Sequence, residues 1–168
     1  MPSLMPVPDN SLLGAYARKG AFTDCYAMSV SAPITLSEFI EAFYTTRLFK
    51  LERWLLAKTL NVPSTDEQAV QLSLSRTKQF SIWQVENRLG YEILLDAGQT
   101  RSWLCVRPQA GTTPSTTLLF GSAVVPVRPD GKFGLLFHMF GGFHRLYSKL
   151  LLSAASKRLV VLREARFG

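Results

Sequence analysis

Residues 142–157 read GFHRLYSKLLLSAASK, and the spacing of their apolar side chains decides the fold class. Phe143, Leu146, Tyr147, Leu150, Leu151, Ala154 and Ala155 fall at i, i+3, i+4, i+7, i+8, i+11 and i+12. At 3.6 residues per turn they make one stripe, with His144, Arg145, Ser148, Lys149, Ser156 and Lys157 on the other side. The spacing predicts a long amphipathic helix near the end of the chain. Just before it, FHMFGG (137–142) carries a Gly-Gly pair, expected to turn the chain sharply from a loop into the helix.

Upstream the apolar period changes from 3.6 to two. SIWQVEN (81–87), YEILLDA (91–97), RSWLCVR (101–107) and TTLLFGSAVVPV (116–127) alternate as strands, separated by NRLG, AGQT and the loop PQAGTTPS. Turns this short imply an antiparallel meander. Gly121, inside the last run, predicts a bulge or bend. AFTDCYAMSV (21–30) reads as a first strand, stopped at Pro33. Thr35 and Glu38 then form a capping box, and Ile34 can staple onto Phe39. The helix so opened runs to about residue 60, as one bent helix or two consecutive ones, with Thr45-Thr46 as the interruption. RPDGKFG (128–134) reads as a further turn. Residues 1–20, with three prolines in the first eight positions, read as a flexible lead-in, and 21–168 as a single domain.

The order is strand, helix or helix pair, antiparallel strands, long final helix, with five or six clear strands. This is an α+β layout. A curved antiparallel sheet around a long C-terminal helix resembles the helix-grip fold of START-like and birch-pollen-allergen-like proteins, the SRPBCC superfamily, over about residues 21–160. TDCYAMSV, FSIWQVENRLGYEILLDAGQTRSWLCV and GFHRLYSKLLLSAA are also similar to stretches of an uncharacterised bacterial domain family, sometimes fused to short-chain-dehydrogenase-like proteins. There the last stretch reads P-F-H-R; Gly142 stands here in place of the proline. That family has no established catalytic residues, so none is carried over.

Composition narrows the function classes. The chain has 168 residues, 47% hydrophobic and 18% charged, enough apolar content for a buried core. No run approaches the roughly 18 apolar residues of a spanning helix, and no basic-then-apolar leader stands at the start. Cys25 and Cys105, 80 residues apart inside expected strands, read as buried free thiols. A cytoplasmic setting is expected. Of the formal charge of +7, +6 lies in residues 128–168, where eight basic residues face only Asp130 and Glu164. That distribution suits a solvated polar face, or weak contact with an anionic membrane or a protein. Nucleic-acid binding is not expected, because the basic residues are not interleaved with aromatics on one visible face.

Catalytic signatures are sparse. There is no glycine-rich phosphate loop, and GSAVV around Ser122 lacks the second glycine of a nucleophile elbow. His138 and His144 lie about 120° apart around a continuous helix, so they cannot share a metal. Glu92 and Asp96 are roughly 13 Å apart along one strand face, too far for paired carboxylate chemistry. Neither a cofactor nor a metal is expected. Trp83, Tyr91 and Trp103 are three large rings with polar tips on neighbouring strands. Phe140, Phe143, His144 and Tyr147 stand at the loop-to-helix junction. These seven are the candidate ligand-binding residues. The expected function is binding of a small hydrophobic or amphipathic molecule between sheet and helix. The alternatives are a cyclase- or aromatase-like enzyme using the same cavity, and an interaction module docking on a reductase partner or an anionic membrane.

Overall fold

Thr35 does what its position in the sequence requires. Its hydroxyl accepts from the Glu38 backbone N–H at 3.2 Å, while the Glu38 carboxylate accepts from the Thr35 backbone N–H at 2.8 Å. That box opens α2 (Leu36–Tyr44), which follows β2 (Phe22–Val30). The interruption at Thr45-Thr46 separates two helices. Thr46 caps α3 (Arg47–Thr59) by accepting from the Phe49 N–H at 3.1 Å.

The computed structural model describes residues 1–111, 113–125 and 135–167, with side chains throughout except at 135–143 and 167. The loop predicted at RPDGKFG lies outside the described residues. Four elements escape the sequence patterns: β1 (Ser3–Leu4), α1 (Gly14–Arg18), α4 (Asp66–Ser73) and β3 (Gln79–Phe80). β1, α1 and β3 are two to five residues long, too short for a period to register, and α4 opens on a capping box, Thr65 with Gln68, that was passed over. The expected strands appear as β4 (Trp83–Arg88), β5 (Glu92–Ala97), β6 (Thr100–Gln109) and β7 (Ser115–Val124).

The seven strands among the described residues form one curved antiparallel sheet in the order β1-β2-β7-β6-β5-β4-β3. β2 therefore sits beside β7, and the first long strand closes against the last, with Asp24 opposite Ser122 and Tyr26 opposite Phe120. One sheet face packs Tyr26, Trp83, Ile93, Leu95, Leu104 and Phe120 against the helices, including Phe39, Phe43, Leu151 and Ala155. The chain is thus an α+β fold with its main core between the sheet and the final helix, α5 (Leu135–Phe167). Arg163 and Arg166 of α5 reach Glu38 at 3.7 Å and Glu41 at 2.5 Å on α2, so part of the C-terminal positive charge fastens that helix.

Three expectations change. The helix begins at Leu135, and Gly141-Gly142 lie within it rather than breaking it. A glycine costs a helix only about 1 kcal/mol, little against a 33-residue helix packed along α2 and the sheet. Second, residues 1–20 are not a loose lead-in. They cover the far face of the sheet, where fully buried Leu13 joins Cys25, Leu94, Trp103, Cys105, Leu119 and Ala123. Glu92 pins this segment by accepting from the Leu12 N–H at 3.0 Å. Third, Gly121 pairs in regular register with Cys25 and Trp103, and the bulge lies at Val85–Asn87 instead. A β-carbon at 121 would stand 2.5 Å from Leu13 Cδ2 and 2.8 Å from the Asp24 carbonyl oxygen. Glycine is needed there for close packing, not for a bend.

Candidate functional site

Strand alternation turns Phe22, Asp24 and Tyr26 of β2, Phe120 and Ser122 of β7, and Trp83 of β4 toward the helices. Where α5 and α3 cross above them, packing leaves a cavity of about 380 Å³. Six rings, Phe22, Phe43, Phe49, Trp83, Phe120 and Tyr147, form much of its wall with Leu151 and Ile82, and Gln99, Thr100, Arg101 and Ser102 border it from the β5–β6 side. The size is at the lower end of small-molecule sites.

Two polar groupings face this cavity. The first joins β2, β7 and α5. Ser122 Oγ donates to Asp24 Oδ1 at 2.6 Å and lies 2.8 Å from His144 Nε2. Asp24 also accepts from the Ser122 backbone N–H at 3.2 Å, and its Oδ2 is 3.4 Å from His144 Nε2, an ion-pair distance without an aligned hydrogen bond. Burial of Asp24 works against its charge. The interactions with His144 and Ser122 outweigh it and hold the carboxyl below the ordinary aspartate range. The hydroxyl of buried Tyr26, two residues along the same strand, has no hydrogen-bond partner among the described residues.

The second grouping joins α3 and α5. Tyr147 donates its phenol O–H to Glu52 Oε2 across the helix seam. Burial raises the Glu52 carboxyl above the ordinary glutamate range; the bond from Tyr147 and the charge of His144 recover only part of that shift. Burial also raises the Tyr147 phenol, and Glu52 adds to the shift. Glu52 is therefore an acid biased toward its protonated form beside a phenol that stays protonated. His144 faces an ionised carboxylate nearby. A carboxyl biased toward its protonated form and an imidazole paired to a carboxylate thus share one chamber.

The seven candidates from the sequence separate. Trp83, His144 and Tyr147 line the cavity. Trp103 does not: it is fully buried on the far face of the sheet, where its indole N–H donates to Glu92 Oε2 at 2.6 Å. Tyr91, 63% exposed, borders a shallow groove with Pro33, Pro108 and Pro114 at a different place. The rings cannot converge because β6 is apolar on both faces, Trp103 and Cys105 on one and Leu104 and Val106 on the other, and both faces are covered. The side chains of Phe140 and Phe143, like that of His138, lie outside the described residues.

Asp24, Glu52, Ser122, Phe49 and Phe120 belong to the site and were missed. Two of them left a signal. Asp24 stands at the inward parity of its strand between Phe22 and Tyr26, and Glu52 lies one turn from both Leu48 and Leu56. An acid on an otherwise apolar stripe marks a paired or functional carboxyl.

Burial pushes the Cys25 and Cys105 thiols up to about 12 and about 11, which leaves them inert at neutral pH. Among the described residues, no three His, Cys, Asp or Glu side chains converge as metal ligands. No helix among them is long and apolar enough to cross a membrane. Comparison of the chain with family models, curated protein sequences and solved structures gave no match.

Proposed function

We propose that the protein binds a small amphipathic molecule in this cavity, and that its fold is a helix-grip of START/SRPBCC type. The first long strand zipped beside the last, with a long final helix over the sheet, supports the fold reading. The observation that carries the function is a chamber of about 380 Å³ that sets aromatic rings beside two hydrogen-bonded polar groupings, Asp24–Ser122–His144 and Glu52–Tyr147. The apolar body of a ligand lies against Phe43, Phe49, Trp83 and Phe120. Its polar end meets Glu52, Tyr147, Ser122 and His144, which offer both donors and acceptors. The resemblance seen in the sequence points the same way but is weaker warrant, since one fold hosts many functions.

The test is native mass spectrometry of the protein purified from its own host, with an apolar fluorescent probe titrated into the delipidated protein. A bound small molecule, and probe binding abolished by the cavity-filling Phe120→Trp substitution, are the expected results. Probe binding that is absent, or unaffected by Phe120→Trp, overturns the proposal.

A second reading, an acid–base enzyme on the same ligand, is favoured by one observation: Glu52, raised by burial, shares the chamber with the Asp24–His144 pair. These carboxyls sit in environments that push their protonation in opposite directions, a pattern of acid–base sites. Incubating the identified ligand with wild type and with Glu52→Gln decides this reading; a ligand recovered unchanged from both excludes it.

A further inference from the structure

The outer surface of the α3–α5 pair carries large apolar side chains that no other element covers among the described residues. Leu51, Trp54 and Leu55 on α3, and Leu146 and Leu150 on α5, are between 48% and 57% exposed. Their positions make them one surface. Arg158 of α5 lies 3.5 Å from Thr45, just before α3, and Tyr147 bonds Glu52 further along, so the two helices run antiparallel. Leu51 and Leu55 stand beside Glu52, one turn apart; Leu146 and Leu150 stand beside Tyr147 in the same way. With Glu52 and Tyr147 turned into the cavity, all four leucines face outward along one seam.

Lysines extend both stripes at helical spacing. On α3 the order is Leu51, Trp54, Leu55, Lys58; on α5 it is Leu146, Leu150, Lys157, Val161. Arg47, Lys58 and Lys157 are exposed around this face. Among the described residues of this face acids are missing: residues 143–162 contain none, and the single acid of α3 is the inward-turned Glu52. A soluble surface seldom gathers this much apolar area in one place without a partner.

We propose that this face docks on an anionic lipid bilayer surface. Leu51, Trp54, Leu55, Leu146 and Leu150 enter the headgroup boundary, and Lys58 and Lys157 reach up to lipid phosphates and carboxylates along their own apolar stems. The charge argues against a second copy of the chain, because pairing this face with itself would bring lysine against lysine with no acid between. Docking here also sets Glu52 and Tyr147, beneath the same seam, next to the membrane, where an amphipathic molecule would be exchanged.

The experiment is co-sedimentation with vesicles of phosphatidylcholine, with and without about one-third phosphatidylserine, at about 50 mM and about 500 mM salt. Wild type is expected to sediment with the anionic vesicles at low salt, at least about tenfold better than with neutral ones, and to release at high salt. Leu51→Ser/Leu150→Ser lowers binding by about tenfold or more. Lys58→Glu/Lys157→Glu lowers it by about fivefold for each charge lost, and both variants keep the wild-type melting temperature. Brominated acyl chains quench Trp54, leaving buried Trp83 and Trp103 bright. Failure of wild type to sediment at low salt overturns the proposal, as does equal binding by the leucine variant. A concentration-dependent dimer that the leucine variant abolishes also overturns it, and assigns the face to self-association.

Discussion

Replacing Gly121 with alanine adds one carbon at the most crowded point of the sheet. The new β-carbon would stand 2.5 Å from Leu13 Cδ2, 2.8 Å from the Asp24 carbonyl oxygen and 3.2 Å from Trp103 Cε3. Ordinary contacts between heavy atoms are about 3.5–4.0 Å, so the first overlap is about 1 Å. Leu13 can yield, being the end of a flexible side chain, but the Asp24 carbonyl is backbone, fixed by the β2–β7 ladder. Overpacking of a well-filled core costs about 1–3 kcal/mol, and a backbone obstacle places this site at the upper end. About 3 kcal/mol corresponds to roughly 6–12 °C of melting temperature for a chain of this size. Thermal and urea unfolding of four proteins would measure it: wild type, Gly121→Ala, Leu13→Ala and the double variant. Leu13→Ala alone should cost about 2–5 kcal/mol, because Leu13 is fully buried. In its background Gly121→Ala should cost about 1 kcal/mol less than in wild type, since the closest clash is gone. A Gly121→Ala melt within about 2 °C of wild type would refute the packing argument. Strict additivity would show that the N-terminal segment does not rest on Gly121.

Two further outcomes follow from buried carboxyls. Because the folded-state pKa of Glu52 is raised, the stability this residue contributes is fully present below the unfolded glutamate value of about 4.3 and is lost as pH rises through the folded value. Glu52→Gln keeps a partner for Tyr147 without the charge, so its stability relative to wild type should increase from about pH 4 to neutral; denaturant midpoints across that range that run parallel would contradict the raised pKa. Glu92 Oε2 accepts from both the Leu12 N–H and the Trp103 indole. Glu92→Ala should cost about 2–6 kcal/mol by urea unfolding, with two donors stranded at about 1–3 kcal/mol each, and Glu92→Gln clearly less; equal effects of the two substitutions would show that neither donor depends on the acceptor.

The ordering of elements was legible because it rests on local physics. Thr35 and Glu38 cap a helix wherever that helix docks, Thr45-Thr46 interrupts it, and the alternation of residues 81–124 specifies strands whatever they face. The site was half legible. His144, Tyr147 and Trp83 were found because large polar-tipped side chains on a helix or a strand stand out singly. Trp103 and Tyr91 were misplaced because alternation says which residues share a face, not which of two covered faces holds the cavity. Glu52 and Asp24 were passed over because their partners, Tyr147 and Ser122, lie 95 and 98 residues away.

By itself, then, the sequence determined the strands, the paired helices, the apolar stripe of the last helix and the α+β class. All of these depend on contacts within a few residues. Only the tertiary structure decided that residues 1–20 form a cover for the second sheet face, that Gly141-Gly142 run on as helix, and that the first long strand closes beside the last. It alone joined Asp24 to Ser122 and His144, and Glu52 to Tyr147, around one cavity. Those pairings span most of the chain, and no local period records which distant residue fills the space above a given side chain.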